Sequence, residues 1–264
     1  ALPGPAAPLH RDGPAMTSAE HRPAAFFDVD NTLTRGTALF RFLAYWYAAQ
    51  GRPAHDAVRE RQRLKAMTTA GVSREETNRA FFRLLAGAPA AEITRLAEDW
   101  FRAELAQGCF FHEPVLEALH AHRRNGDLVV LVSGSFPAVL LPVLEHCGAH
   151  HLLCTEPEIT PVARTYTGRL ADRPHQPMIG SAKAGAVREL AAAHRIDLAS
   201  STGYGDHVSD APLLSVTGRA VIVGDDPDLR RLAAHHGWHR LPKAPLPPAV
   251  PLPEPNPARP GALL

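Results

Sequence analysis

The sequence predicts an α/β fold: a Rossmann-like, doubly wound parallel sheet with a helical cap domain inserted after the first strand. Three observations carry this reading. Apolar runs at Ala24–Asp28, Leu128–Ser133 and 219–224, with a weaker one at 201–206, are continuous rather than alternating, which is the pattern of strands covered on both faces. Stretches with helical periodicity separate them. Polar residues collect at the carboxyl ends of these runs, where open parallel sheets bind their ligands.

The elements follow in chain order. Residues 1–23 are rich in Pro, Ala and Gly, too poor in apolar surface to offset chain entropy, and read as a disordered tail. Ala24–Asp28 is the first strand. Residues 36–108 show no strand signal and are expected to form about four helices. Ser73 and Glu76 have capping-box spacing, and Gly71 and Gly108 stand where helices end. This stretch is read as the cap, with 24–35 and 109–241 as the core. A helix is expected over 114–125, with Pro in its first turn and Gly126 past its end. The strand Leu128–Ser133 leads to a helix over 136–147 stopped by Gly148. A short strand follows near His151–Cys154, then a small hairpin within 160–170. Helices are expected at Ser181–His194 and Pro227–His236, on either side of the last two strands. Residues 242–264 are Pro-rich and read as a second tail.

Composition narrows the function. Lys and Arg total 28 against 27 acids, a net +1, so no nucleic-acid footprint is expected. No apolar run approaches the roughly 18 residues of a membrane span, and the first residues lack the basic start and apolar core of a signal peptide. Cys109, Cys147 and Cys154 are odd in number and lack metal-ligand spacing, which fits a reducing, cytoplasmic setting. The 15 histidines are scattered, the pairs His150-His151 and His235-His236 lack a ligand-like arrangement with acids, and no zinc site is read from them.

Four short stretches carry chemistry. In Asp28-Val-Asp30-Asn-Thr32 two carboxylates stand two residues apart at a strand end. One could attack phosphorus and the other pass a proton to the leaving group, although turns alone also favour Asp and Asn. Ser133-Gly134 at the next strand end offers an O–H and backbone N–H groups to an anion, or caps a helix. Lys183 opens a helix in a chain whose ordinary cation is Arg; only Lys65 and Lys243 share its type. It would contact a phosphate and a carboxylate, or be a solvated surface residue. Asp206 and Asp210 lie one helical turn apart and could hold a hard cation such as Mg2+ through oxygen. Each bland alternative is respectable singly; all four failing together is the stronger reading.

Taken together, the stretches resemble the motifs of the haloacid dehalogenase superfamily, in its phosphoserine-phosphatase-like branch, over roughly residues 24–240. Phe27-Asp-Val-Asp-Asn-Thr-Leu is similar to its first motif, Ser133-Gly134 to the second, Lys183 to the third, and Gly205-Asp206 with Asp210 to the fourth. The resemblance implies a Mg2+-dependent phosphatase acting on a small phosphorylated metabolite. Asp28 would be the nucleophile and form an aspartyl-phosphate, and Asp30 the general acid and then base. Thr32, Ser133, Gly134 and Lys183 would bind the phosphoryl group. Asp28, Asp206 and the Asp30 carbonyl would hold the metal, with Asp210 in support. Enzymes specific for phosphoserine carry a Glu where this chain has Thr37, which argues against phosphoserine. Two alternatives stay open: a phosphotransferase using an alcohol acceptor, and a non-catalytic phosphate-binding module.

Overall fold

The computed structural model describes residues 21–243. The tail readings at residues 1–20 and 244–264 lie outside the described residues. Within the two ranges read as tails, Arg22 pairs with Ile196 and Lys243 reaches Asp206.

The core is a parallel sheet whose strands fall where apolar side chains run without interruption. β1 (Ala24–Asp28) is buried along its whole length, as is β2 (Leu128–Ser133). β3 (His151–Cys154), β6 (Thr202–Gly205), β7 (Arg219–Val223) and β8 (His239–Leu241) complete the order β3-β2-β1-β6-β7-β8. Every pairing within it is parallel. β1 lies at the centre, and the chain winds outward first to one side and then to the other. The direction of winding changes beside β1, so its carboxyl end faces the crevice where such sheets bind ligands. β4 (Pro157–Ile159) and β5 (Tyr166–Leu170) form a separate antiparallel pair; a hairpin is present, but its first strand lies before the 160–170 range in which it is expected.

Helices cover both faces. α5 (Glu113–Arg124), α6 (Pro137–Cys147), α7 (Ser181–His194), α8 (Ala211–Ser215) and α9 (Pro227–His236) alternate with the strands. β8 was not anticipated. Two of its three residues are exposed, so it carries no apolar run to read.

The segment between β1 and α5 is helical: α1 (Ala38–Ala49), α2 (Ala54–Thr69), α3 (Arg74–Phe82), a single 3-10 turn, and α4 (Ala90–Ala106). Ser73 caps α3 by accepting from the Glu76 N–H, while the Glu76 carboxylate pairs with Arg83 instead of closing the box. α1 and α4 are apolar towards the core. Phe42 of α1 and Phe82 of α3 meet Phe136 at the start of α6, and Phe42 also packs edge-on against Trp100 of α4. These rings belong to one buried cluster that continues into β1 and β2. Glu104 sits inside it, fully buried, held by Arg41 and by the Trp100 indole N–H at 2.8 Å. α2 differs: only Ala57 and Leu64 are buried.

Candidate active site

Strand register assembles the site. Asp28 stands opposite Val132, and Phe27 opposite Tyr204. Ser133 and Asp206, which follow these partners, therefore emerge beside Asp28 at the same sheet edge. The chain then turns sharply. Asn31 adopts a left-handed backbone (φ 61°), which Asn tolerates better than most residues. The N–H groups of Thr32, Leu33 and Thr34 all donate to the Val29 carbonyl.

This turn points Asp28 and Thr32 inward. Thr32 Oγ1 donates to Asp28 Oδ2 at 2.6 Å, and Lys183 Nζ donates to Asp28 Oδ1 at 2.6 Å. Both oxygens of a 5 % exposed carboxylate are thus held. Lys183, equally buried at the first turn of α7, also donates to Asp210 Oδ1 at 2.7 Å. Asp210 Oδ2 accepts from the N–H groups of Asp206 and His207, both at 3.3 Å. Gly205 permits this approach: a Cβ there would lie 2.6 Å from that of Asp210. Asp206 is bound at its other face by Lys243 Nζ at 2.8 Å.

Asp30 points a different way. Its oxygens accept from the Ala38 N–H at 2.6 Å and from Ser133 Oγ at 3.4 Å. Ser133 Oγ in turn accepts from the Ser135 N–H at 3.0 Å. Gly134 is closely packed, since a Cβ there would come within 3.2 Å of the Ile179 side chain, which would have to shift. Its carbonyl accepts from Asn78 Nδ2 of α3 at 2.8 Å, and the buried Asn78 Oδ1 has no partner.

The electrostatics are those of an anionic hollow with one buried cation. Burial lifts the Asp28 carboxyl well above the carboxylate range; Lys183 opposes this, and Asp210 and Asp206 add to it. Burial raises Asp30 to about 6. Burial disfavours the Lys183 ammonium, but Asp210 and Asp28 outweigh it and hold the charge in place. One oxygen each from Asp28, Asp206 and Asp210 lie within 4.8 Å of one another. Hard oxygen donors this close, with negative charge in excess, fit a small divalent cation.

Above these groups is a cavity of about 560 Å3. Asp28, Asp30, Lys183, Asp206 and Asp210 form its floor. Thr37, Leu39, Phe40, Leu64 and Phe81 supply its far wall. The sequence reading placed the floor residues but missed Asn78 and Lys243, because nothing local marks either one.

The family profile described as haloacid dehalogenase-like hydrolase matches residues 25–215. The chain belongs to that family. Two curated relatives come from Mycobacterium tuberculosis. One, named a probable phosphatase, is 28 % identical over 229 residues, covering 85 % of this chain and 77 % of its own. The other, named phosphoserine phosphatase SerB1, is 29 % identical over 225 residues, covering 81 % and 69 %. A solved structure of a Bordetella pertussis Tohama I protein of unknown function is 26 % identical, with a TM-score of 0.73 over 84 % of this chain and 99 % of that one. This hydrolase is therefore built on the fold its sequence predicts. Among its described residues no helix is long and apolar enough to cross a membrane.

Proposed function

We propose that this hydrolase is a Mg2+-dependent phosphatase that cleaves a small phosphomonoester through an aspartyl-phosphate on Asp28. The observation that carries the reading is the pairing of two differently held carboxylates at one strand end. Asp28 is gripped at both oxygens by Lys183 and Thr32, while Asp30, two residues on, turns toward Ser133. The names of the two mycobacterial relatives point the same way.

Each residue has a task. An Asp28 oxygen bonds to phosphorus as the ester P–O bond breaks, and Asp30 gives its proton to the departing alkoxide. A carboxyl raised to about 6 keeps a useful protonated fraction near neutral pH. Water then attacks phosphorus, Asp30 takes its proton, and phosphate leaves with Asp28 restored. Lys183 and Ser133 bind the equatorial oxygens, so that positioning and charge supply most of the catalysis. Asp28, Asp206, the Asp30 carbonyl and Asp210, directly or in support, would hold the Mg2+, whose charge offsets that of the phosphate dianion.

The test is phosphate release from a broad panel of phosphomonoesters, with Mg2+ and with chelator. Wild type should release phosphate only with the metal, and Asp28→Asn should fall by at least about 10³-fold. Release that survives Asp28→Asn would reject the assignment.

A further inference from the structure

The walls of the cavity carry an uneven distribution of charge. The helical segment 36–108 holds eleven Lys and Arg residues. Seven of the arginines pair with carboxylates: Arg41 with Glu104, Arg52 and Arg59 with Asp56, Arg63 with Glu60, Arg83 with Glu76, and Arg95 and Arg102 with Asp99. Arg79 donates to the Gln176 carbonyl at 2.8 Å. The three that remain, Arg61, Lys65 and Arg74, are the three that line the cavity. Among the described residues none of them has an ion pair; Arg61 rests over the Phe40 ring at 5.8 Å. Arg61 and Lys65 are four residues apart on α2 and share a face, and Arg74 opens α3 after the short turn that follows α2. Among the described residues the only acids lining the cavity are the four aspartates of its floor.

We propose that this hydrolase selects phosphomonoesters whose tail bears a second anionic group, a carboxylate or a further phosphate, which Arg61, Lys65 and Arg74 receive at the mouth. The inference rests on the phosphatase reading and names its substrate class. Like charges left unpaired around one opening repel each other and gain most from an anion that arrives there. Leu39, Phe40, Leu64 and Phe81 lie on the same walls and suit an apolar link between the two charged ends. An ammonium tail meets three cations and no wall carboxylate. Thr37, bonded weakly by Asn31 Nδ2 at 3.4 Å, offers only a hydroxyl.

The test compares matched esters of increasing linker length: ω-carboxyalkyl phosphates, alkanediol bisphosphates, plain alkyl phosphates and ω-aminoalkyl phosphates. An anionic tail should raise kcat/KM by about tenfold over the plain alkyl ester, the sum of a few exposed pairs. That advantage should shrink in high salt. In Arg61→Gln/Lys65→Gln/Arg74→Gln the anionic-to-neutral ratio should fall towards one. Arg63→Gln, paired with Glu60 and away from the cavity, should keep the wild-type ratio. The carboxylate and bisphosphate arms show which anion is taken. Equal rates for neutral and anionic tails, a preference for the ammonium tail, or a ratio that survives the triple substitution would overturn the proposal. Binding of the same esters to Asp28→Asn reads tail preference without turnover. Preference there without hydrolysis by wild type would reject the phosphatase reading alone. Hydrolysis without tail preference would reject the tail assignment alone.

Discussion

At the scale of single residues, burial sets the proton chemistry around the site. His112, at the start of α5, is 4 % exposed, and its Nδ1 has no hydrogen-bond partner. Burial, with Lys243 and Arg35 adding to it, lowers its pKa from 6.5 to about 4. Between these values the unfolded chain binds the proton and the folded chain does not, so folding loses stability as pH falls through that window. The loss at the low end is on the order of 3 kcal/mol. Urea titrations of wild type and His112→Gln at pH 7 and at about pH 4.5 should show a smaller drop in the variant; equal drops would mean His112 is protonated in the fold. Such residues were hard to read from sequence. His112 stands in a chain with 15 histidines, and Lys243 follows the last periodic segment in Pro-rich surroundings. Lys183 was legible because a lone Lys at a helix start stands out among arginines.

Among the elements, the two halves of the cap are held differently. α1 and α4 share the aromatic cluster with α6 and are locked together by Glu104, which Arg41 and Trp100 bind. α3 bridges to the core through polar contacts, Asn78 to the Gly134 carbonyl and Arg79 to that of Gln176, in addition to Phe81 and Phe82, while α2 adds only Ala57 and Leu64 to the buried cluster. Removing the Glu104 charge would leave Arg41 half-desolvated beside an apolar core. Glu104→Gln should cost about 3 kcal/mol, the low end for a broken buried pair because Arg41 is 22 % exposed. Chemical denaturation measures this, and an unchanged midpoint would show that the pair contributes little. The cap helices were legible as helices from the absence of any strand run. Glu104 was not, because one acid on an amphipathic helix reads as surface until its partners are known.

Across the whole molecule, function follows from where a parallel sheet places its strand ends. β1 brings Asp28, β2 brings Ser133, and β6 brings Asp206, with α7 returning Lys183 to the same edge. Each motif ends an apolar run or opens a helix, so the floor of the site could be read along the chain. The long-range contacts that support it could not: Asn78 meets Gly134 across 56 residues and Lys243 meets Asp206 across 37, and no local pattern reports such pairings. The central claim is that phosphate passes through Asp28. It is tested most directly by acid-quenching a turnover of 4-nitrophenyl phosphate labelled at phosphorus, using Asp30→Asn to slow the attack of water. The label should appear on the peptide that contains Asp28, after a burst of nitrophenolate of about one per site. Steady turnover with no labelled peptide, or a label on another residue, would contradict the account.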